Sequence, residues 1–363
     1  MSWRIEPIGA LASHEGAWRA INRAASDTPL LDFRFVSEAV RHFASGEEKI
    51  ARLERGGRPV AIALLARTSA LSWQTLQPAN APIGFIVAEP DTAIETLLRS
   101  LAPALGPQCG IVSLTQQDPA IHPRPAHSAH LATLDYILTP SIDVKGSFAD
   151  FMATRSKNFR HNISRQRNRL KRENIAARLE ILTAPSEMAR AVADYSGLEC
   201  ASWKGKIESA VRMDEPQGRF YVALMESFAT IGEAAICRYY FDEKLAASDL
   251  CLVRNGTLII LKTAYDETRQ GYSPAHLMRI DAFAEFFDRL GVKRVEFYGP
   301  LTEWHARLTE DARRMYHVNY YRWRGLKLVH ALRRSRGAGA AGPTHEPATA
   351  EAAGGAHPET PVP

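Results

Sequence analysis

Four side chains in the second half of the chain are of types that move protons. Asp249 lies within the otherwise apolar strand-like run 245–253. A carboxylate there is costly unless it is paired or put to use, so it is a candidate general base or amine anchor. The alternative is a strand-edge carboxylate paired with Lys262, one strand away, and Lys262 and Asp266 each carry the same two readings. Tyr298 closes the predicted strand 293–298 just before Gly299-Pro300, where its phenol could donate a proton or simply pack half-buried.

A second group could hold a ligand. The predicted strand 257–264 runs on through Arg269-Gln270-Gly271-Tyr272 into Ser273-Pro274-Ala275-His276. Ser273 suits an N-cap and Pro274 the first helical position, where a missing N–H costs nothing. A helix over 274–290 follows, with Leu277, Ile280, Ala284, Phe287 and Leu290 as its apolar stripe and Gly291 as its stop. A strand that opens directly into a helix N-terminus offers free amides and partial positive charge, a place for phosphate or pyrophosphate. The candidates are Arg269, Gly271, Tyr272, Ser273, Ala275 and His276, although every strand-to-helix junction has this general geometry. The order Gly271-Tyr272-Ser273-Pro274-Ala275 also looks like a hydrolase nucleophile elbow. That reading fails, because the residue after the serine must give its N–H to an oxyanion and Pro274 has none.

The elements that position these residues occur twice. In the first half, strands at 49–55 and 59–67 meet at Gly56-Gly57, a short strand follows at 71–76, then a helix over 91–105 and a strand at 111–114. In the second half, strands at 235–241, 245–253 and 257–264 meet at Asp242 to Lys244 and at Asn255-Gly256, ahead of the helix from Pro274 and the strand 293–298. Corresponding elements lie about 185 residues apart, which predicts a duplicated α/β unit. The expected division is 1–140, 141–335 and a tail 336–363 too poor in bulky residues to order itself.

Composition sets the outer limits. The chain of 363 residues is 45% hydrophobic and 23% charged, with no apolar run long enough to span a bilayer. Residues 1–10 carry Arg4 and Glu6 before any apolar stretch, so no secretory signal is expected and a cytoplasmic location is. Cys109, Cys200, Cys237 and Cys251 stand singly, and His127 and His130, in a Pro-rich loop without carboxylate or thiol, are loop histidines; no metal site is expected. A net charge of +5 favours anionic partners without choosing among them.

Read together, Lys262-Thr263-Ala264-Tyr265-Asp266-Glu267 and Tyr272-Ser273-Pro274-Ala275-His276-Leu277 resemble the GNAT-superfamily acyltransferases of the CelD type. Ser156-Lys157-Asn158-Phe159-Arg160-His161-Asn162-Ile163 resembles that family's basic helix, and Glu199-Cys200-Ala201-Ser202-Trp203-Lys204-Gly205 its Trp-Lys-Gly segment. The similarity runs from about Ser141 to Trp323, and the first half resembles the degenerate partner of a double, FemAB-like arrangement. The resemblance implies a mixed α/β sheet of two tandem GNAT-like units, with acyl-CoA, usually acetyl-CoA, held between splayed strands 257–264 and 293–298. It implies that Arg160, Trp203, Lys204 and Trp304 face the acceptor; Tyr298, if it is not simply packed, could protonate a departing thiolate. Ala275 replaces a customary glycine, and Trp304-His305 stands where Tyr-Lys is common.

The activity implied is acyl transfer from acyl-CoA to an amine or hydroxyl of a small molecule or of a saccharide, cell-envelope precursor. Two other functions fit the same fold: aminoacyl transfer from charged tRNA, and a non-catalytic accessory role in polysaccharide synthesis. The helix bearing Lys157, Arg160, Arg165, Arg167, Arg169, Lys171 and Arg172 keeps Phe159, Ile163 and Leu170 on one face. Its charged face could grip an anionic acceptor, the CoA 3′-phosphate or RNA, or could simply be solvated. A further basic stretch with Arg322, Arg324, Lys327, Arg333 and Arg334 is a weaker candidate for contact with a membrane surface.

Overall fold

The computed structural model describes residues 2–202 and 210–328. The first half contains β1 (Ser2–Pro7), α1 (Glu15–Ala25), α2 (Phe33–Phe43), β2 (Lys49–Arg55), β3 (Arg58–Ser69), β4 (Ser72–Thr75), β5 (Ile86–Ala88), α3 (Ile94–Ala104), β6 (Ile111–Gln117) and β7 (Leu131–Asp143). Then come α4 (Phe148–Ala153), α5 (Lys157–Arg172), β8 (Ala177–Leu182), α6 (Pro185–Ala201), α7 (Pro216–Ala229), β9 (Ala234–Phe241), β10 (Lys244–Arg254), β11 (Thr257–Tyr265), α8 (Pro274–Asp288), β12 (Arg294–Glu296), α9 (Glu303–Leu308) and β13 (Ala312–Tyr321). From β8 onward the second half repeats the strand and helix order of the first. The predicted tail and the last two cations of the basic stretch, Arg333 and Arg334, fall outside the described residues.

Among the described residues thirteen strands form one mixed sheet, β1-β2-β3-β4-β6-β13-β7-β12-β11-β10-β9-β8, with β5 added beside β3. Its centre is an exchange. β13, the last strand of the second half, pairs with β6 of the first, while the end of β7 crosses to pair with β12 of the second. β7 and β13 pair with each other along the seam.

Three cores follow from the layers. α3 covers one face of the first-half sheet, burying Leu97, Leu98 and Leu101 against Leu53, Val60 and Val112. α8 covers one face of the second, burying Leu277, Met278, Phe283 and Phe286 against Cys251, Leu258 and Val295. The remaining faces share a single core in which α1 and α2 meet α6 and α7, and Phe35 of α2 stands edge-on to Phe220 of α7 at 5.7 Å. Removing so much apolar surface from water at one joint makes the two halves a single folding problem.

Two local expectations change. The α8 helix ends at Asp288, and Leu290 is 57% exposed beyond it. Its buried surface is wider than one stripe, because Pro274, Ala275, Ala282 and Phe283 are buried as well. Ser273 stands at the N-cap position but makes no capping bond with its side chain; its backbone is left-handed, with φ of 54°. Its place is set by the sharpness of the turn, not by a cap.

Candidate functional site

β11 and β12 run parallel and pair only at Thr257↔Arg294, Leu258↔Val295 and Ile259↔Glu296. β12 then ends, and β11 continues to Tyr265 with β10 as its strand neighbour. The β10–β11 register slips at the same level, from Leu250↔Lys262 to Cys251↔Ile260, leaving Leu261 as the extra residue. A bulge strengthens the local twist and turns the strand out of the sheet. Beyond these pairs the two parallel strands part at their C-terminal ends.

The turn into α8 follows directly on the unpaired part of β11. The Asp266 carboxylate accepts from the Thr268 amide at 2.9 Å and from its hydroxyl at 2.6 Å, starting a tight turn over Glu267–Tyr272. In this conformation Asp266 shapes the turn. Arg269 and Tyr272 are half-buried and Gly271 exposed, while Pro274 and Ala275 are buried at the helix start.

Asp249 and Lys262 lie on opposite faces of the sheet. On the α8 face, the Arg279 guanidinium donates to Asp249 Oδ2 at 3.1 Å and also to the Thr263 hydroxyl. Arg279 and Asp249 are both buried, and the guanidinium sits 4.5 Å from the centre of the Trp304 ring. Trp304 in turn stacks on His276 at 4.9 Å. Asp249 therefore joins α8 to the cleft strands through an ion pair with Arg279 that Lys262 does not enter.

On the other face, Lys262 Nζ approaches Glu199 Oε1 at 3.8 Å, with the Tyr221 ring centre 5.9 Å away. Glu199 is fully buried; it accepts from the Tyr195 hydroxyl at 2.9 Å and from the Val211 amide at 2.7 Å. Burial, reinforced by the Glu199 charge, pushes the Tyr195 and Tyr221 phenols far above their ordinary value, so both are hydrogen-bond donors across the physiological range.

Tyr298 has left-handed backbone, φ 51°, and its hydroxyl donates to Asp118 Oδ2 at 2.8 Å. Arg313 grips Asp118 with two donors, at 2.7 and 2.5 Å, and reaches Glu296 with a third at 2.7 Å. Arg294 closes the chain on Glu296 at 2.6 Å. Burial pushes the Asp118 carboxyl up, but Arg313 and the Ala120 amide more than offset this and hold it low. Burial and the neighbouring Asp118 raise Tyr298 well above an ordinary phenol. A phenol raised that far is a poor acid, better suited to keeping a hydrogen bond than to giving up its proton.

Of the other residues singled out in the sequence, Arg160 donates to the Ala153 carbonyl at 2.8 Å and fastens α5 to α4. Trp203 and Lys204 lie outside the described residues. His130 bonds to the Tyr321 carbonyl at 2.8 Å, and His127 to Thr133. Cys237 and Cys251 are buried neighbours with free thiols, the contact with Cys237 and then burial raising Cys251. Sequence reasoning quoted Glu199 only as the start of the segment ending in Trp203-Lys204-Gly205, and passed over Arg279, Asp118 and Arg313. Arg279 carried a signal, since it interrupts the apolar face of a helix. The other three acquire meaning only through distant partners.

The first half has the matching opening between β4 and β6, which pair only at Ser72↔Ile111, Trp73↔Val112 and Gln74↔Ser113. There it is filled. The Gly84 amide donates to the Thr115 carbonyl at 3.2 Å, and the Thr75 and Thr115 hydroxyls bond at 2.8 Å. A Cβ on Gly84 would stand 2.7 Å from the Thr115 carbonyl oxygen, so glycine alone fits this plug. A separate cavity of about 250 Å³ opens at the opposite end of β10 and β11, lined by Arg19, Asp27, Asp32, Glu233 and Arg254 among others. Its cations and carboxylates are largely spent on one another, with Arg254 bound to Asp32 at 2.7 Å and to Glu233 at 2.5 Å.

Residues 157–306 match the family described as acetyltransferase (GNAT) domain. No curated protein matches the chain by sequence. Among solved structures, the C-terminal domain of a putative lysylphosphatidylglycerol synthetase from Agrobacterium fabrum aligns over 90% of this chain and 96% of its own, at 11% identity and a TM-score of 0.55. FemX aligns over 92% and 99%, at 8% identity and a TM-score of 0.53. A conserved protein of unknown function from Bacteroides thetaiotaomicron aligns over 88% and 99%, at 11% identity and a TM-score of 0.53. At such identities the likeness is one of fold. The fold is a mixed α/β sheet with a GNAT-type domain in the second half, and both halves take part in the alignment.

Proposed function

We propose that this chain is an acyl-CoA-dependent acyltransferase whose second half receives the donor between β11 and β12 and whose acceptor is an amine or hydroxyl of a small-molecule or cell-envelope precursor. The observation that carries the reading is the parting of two parallel strands after three residue pairs, directly ahead of the turn into α8. When bound, the donor would supply an activated thioester carbonyl.

The chain's own residues divide the remaining work by face. The β11 edge beyond Ile259 offers amides to a polarised carbonyl oxygen. Arg279, Asp249 and Thr263 hold α8 and its leading turn against the cleft. Lys262, backed by Glu199 on the opposite face, orients the acceptor and is the residue most directly assigned to chemistry. Tyr298 is a positioning residue that acts through Asp118.

Calorimetry with CoA and acetyl-CoA, followed by free-thiol release from several acyl-CoAs against amines and amino sugars, tests the reading; failure to bind CoA removes it. A second reading, aminoacyl transfer from charged tRNA, is favoured by the alignment of both halves with the putative synthetase domain and by the cationic α5. Product formation from aminoacyl-tRNA that ribonuclease abolishes would decide for it.

A further inference from the structure

Five large hydrophobic side chains are exposed among the described residues, and three of them lie either on the turn between β3 and β4 or on the short segment after β13. Leu71 is 43% exposed, Trp323 45% and Leu328 64%. The first two come together over Gly110. The Gly110 and Ile111 amides donate to the Leu71 carbonyl at 2.9 and 3.0 Å. A Cβ at Gly110 would stand 2.6 Å from Leu326 and 3.0 Å from the Trp323 ring, so the missing side chain lets both lie against the backbone beside Leu71.

The segment after β13 is held in place by its own cations. Arg322 Nη1 donates to the Gly106 and Pro107 carbonyls at 3.1 and 3.3 Å, with its guanidinium 5.4 Å from the centre of the Trp323 ring. Lys327 Nζ donates to the Ser128 and Leu131 carbonyls at 2.5 and 2.9 Å. Arg67 does the same at the hairpin tip, through the Ser69 and Ala70 carbonyls, both at 3.1 Å. Carbonyls hold these side chains without cancelling their charge. The segments that meet here, 67–73, 105–111, 126–131 and 322–328, carry Arg67, Arg322, Arg324 and Lys327 and not one acid. Glu95, which accepts from the Ser128 hydroxyl at 3.1 Å, is already paired with Arg99 at 2.7 Å.

We infer that the surface around Leu71 and Trp323 docks on the headgroup layer of an anionic lipid bilayer. An indole and leucines ringed by cations suit the boundary between water and hydrocarbon, where the apolar groups enter and the charges meet lipid phosphates. Charge complementarity selects this occupant, because a second copy of the chain would set the same four cations against themselves. Such docking is independent of what the cleft between β11 and β12 receives.

The test is flotation of the full chain with vesicles of phosphatidylcholine alone and of phosphatidylcholine with about 30% phosphatidylglycerol. The chain should float with the anionic vesicles, and less at about 200 than at about 50 mM salt. L71S/W323S should weaken this binding about tenfold or more, and R324E about fivefold or more. Leu290→Ser, at an exposed leucine elsewhere, should stay within about twofold. Brominated lipid should quench tryptophan emission in the parent and much less in W323F. Unchanged affinity in L71S/W323S, with its thermal melt intact, overturns the assignment and moves the binding to a purely cationic face such as α5. Failure of the folded parent to float with either vesicle overturns it as well. So does a dimer in sedimentation that L71S/W323S splits, which marks the surface as a contact between copies.

Discussion

The Tyr298 hydroxyl, at the mouth of the second-half cleft, donates to Asp118 of the first half across 2.8 Å. Asp118 is 1% exposed and also receives two Arg313 donors, so removing its charge breaks a buried ion pair and leaves the guanidinium only Glu296. Asp118→Asn should cost about 3–5 kcal/mol in urea unfolding, and Tyr298→Phe about 1.5–3 kcal/mol for one bond to a charged group. Combined, they should cost less than the two losses added, because they share a network. Full additivity would show that the phenol and the carboxylate are not coupled.

Asp249 should reveal itself first through stability. Asp249→Asn leaves Arg279 buried with its ion pair broken, which is expected to cost about 3–5 kcal/mol. Replacing both, as Asp249→Leu with Arg279→Met, should recover a good part of that loss. A stable Asp249→Asn protein that has lost only turnover would instead make Asp249 the base.

Lys262 should behave in the opposite way. It lies across the sheet from Arg279 and α8, so Lys262→Met should leave CoA affinity within about threefold while lowering turnover by about 100-fold or more. Parallel loss of binding and turnover would contradict the division of work between the two faces.

Acid should weaken the protein before its carboxylates titrate. Burial pushes the His122 imidazole down to about 4 from its ordinary 6.5, with Asp118 only partly opposing. Above pH 6.5 neither folded nor unfolded chain holds the proton; between 6.5 and 4 the unfolded chain takes it up first, so stability falls as pH falls. The slope from this group reaches at most about 1.4 kcal/mol per pH unit. Thermal melts from pH 7 to 4 should show a shallower decline in His122→Gln than in the parent; identical profiles would rule the histidine out.

The duplication was legible because alternating apolar runs and their glycine and asparagine turns are local signals. The strands predicted at 49–55, 245–253 and 257–264 are present within about a residue or two at each end. The two seam strands gave less away. β7 alternates only over 131–134 before exposed Asp135, half-buried 136–138 and continuously buried 139–142, and β13 carries Arg313, Arg314, His317 and Asn319, so neither shows a clean period of two. The partners of Asp249 and Lys262 were misjudged for a related reason. Adjacent strands place Asp249 opposite Thr263, not Lys262, and a one-residue register difference puts the two side chains on different faces. Register of that kind depends on the bulge at Leu261, which no local pattern announces.

The crossing of β7 and β13 ties each half's fate to the other's. Cut between Gln117 and Leu131, the polypeptide would yield two fragments whose sheets end in the bare edges of β6 and β13, and each would be most cohesive when clasped to its complement.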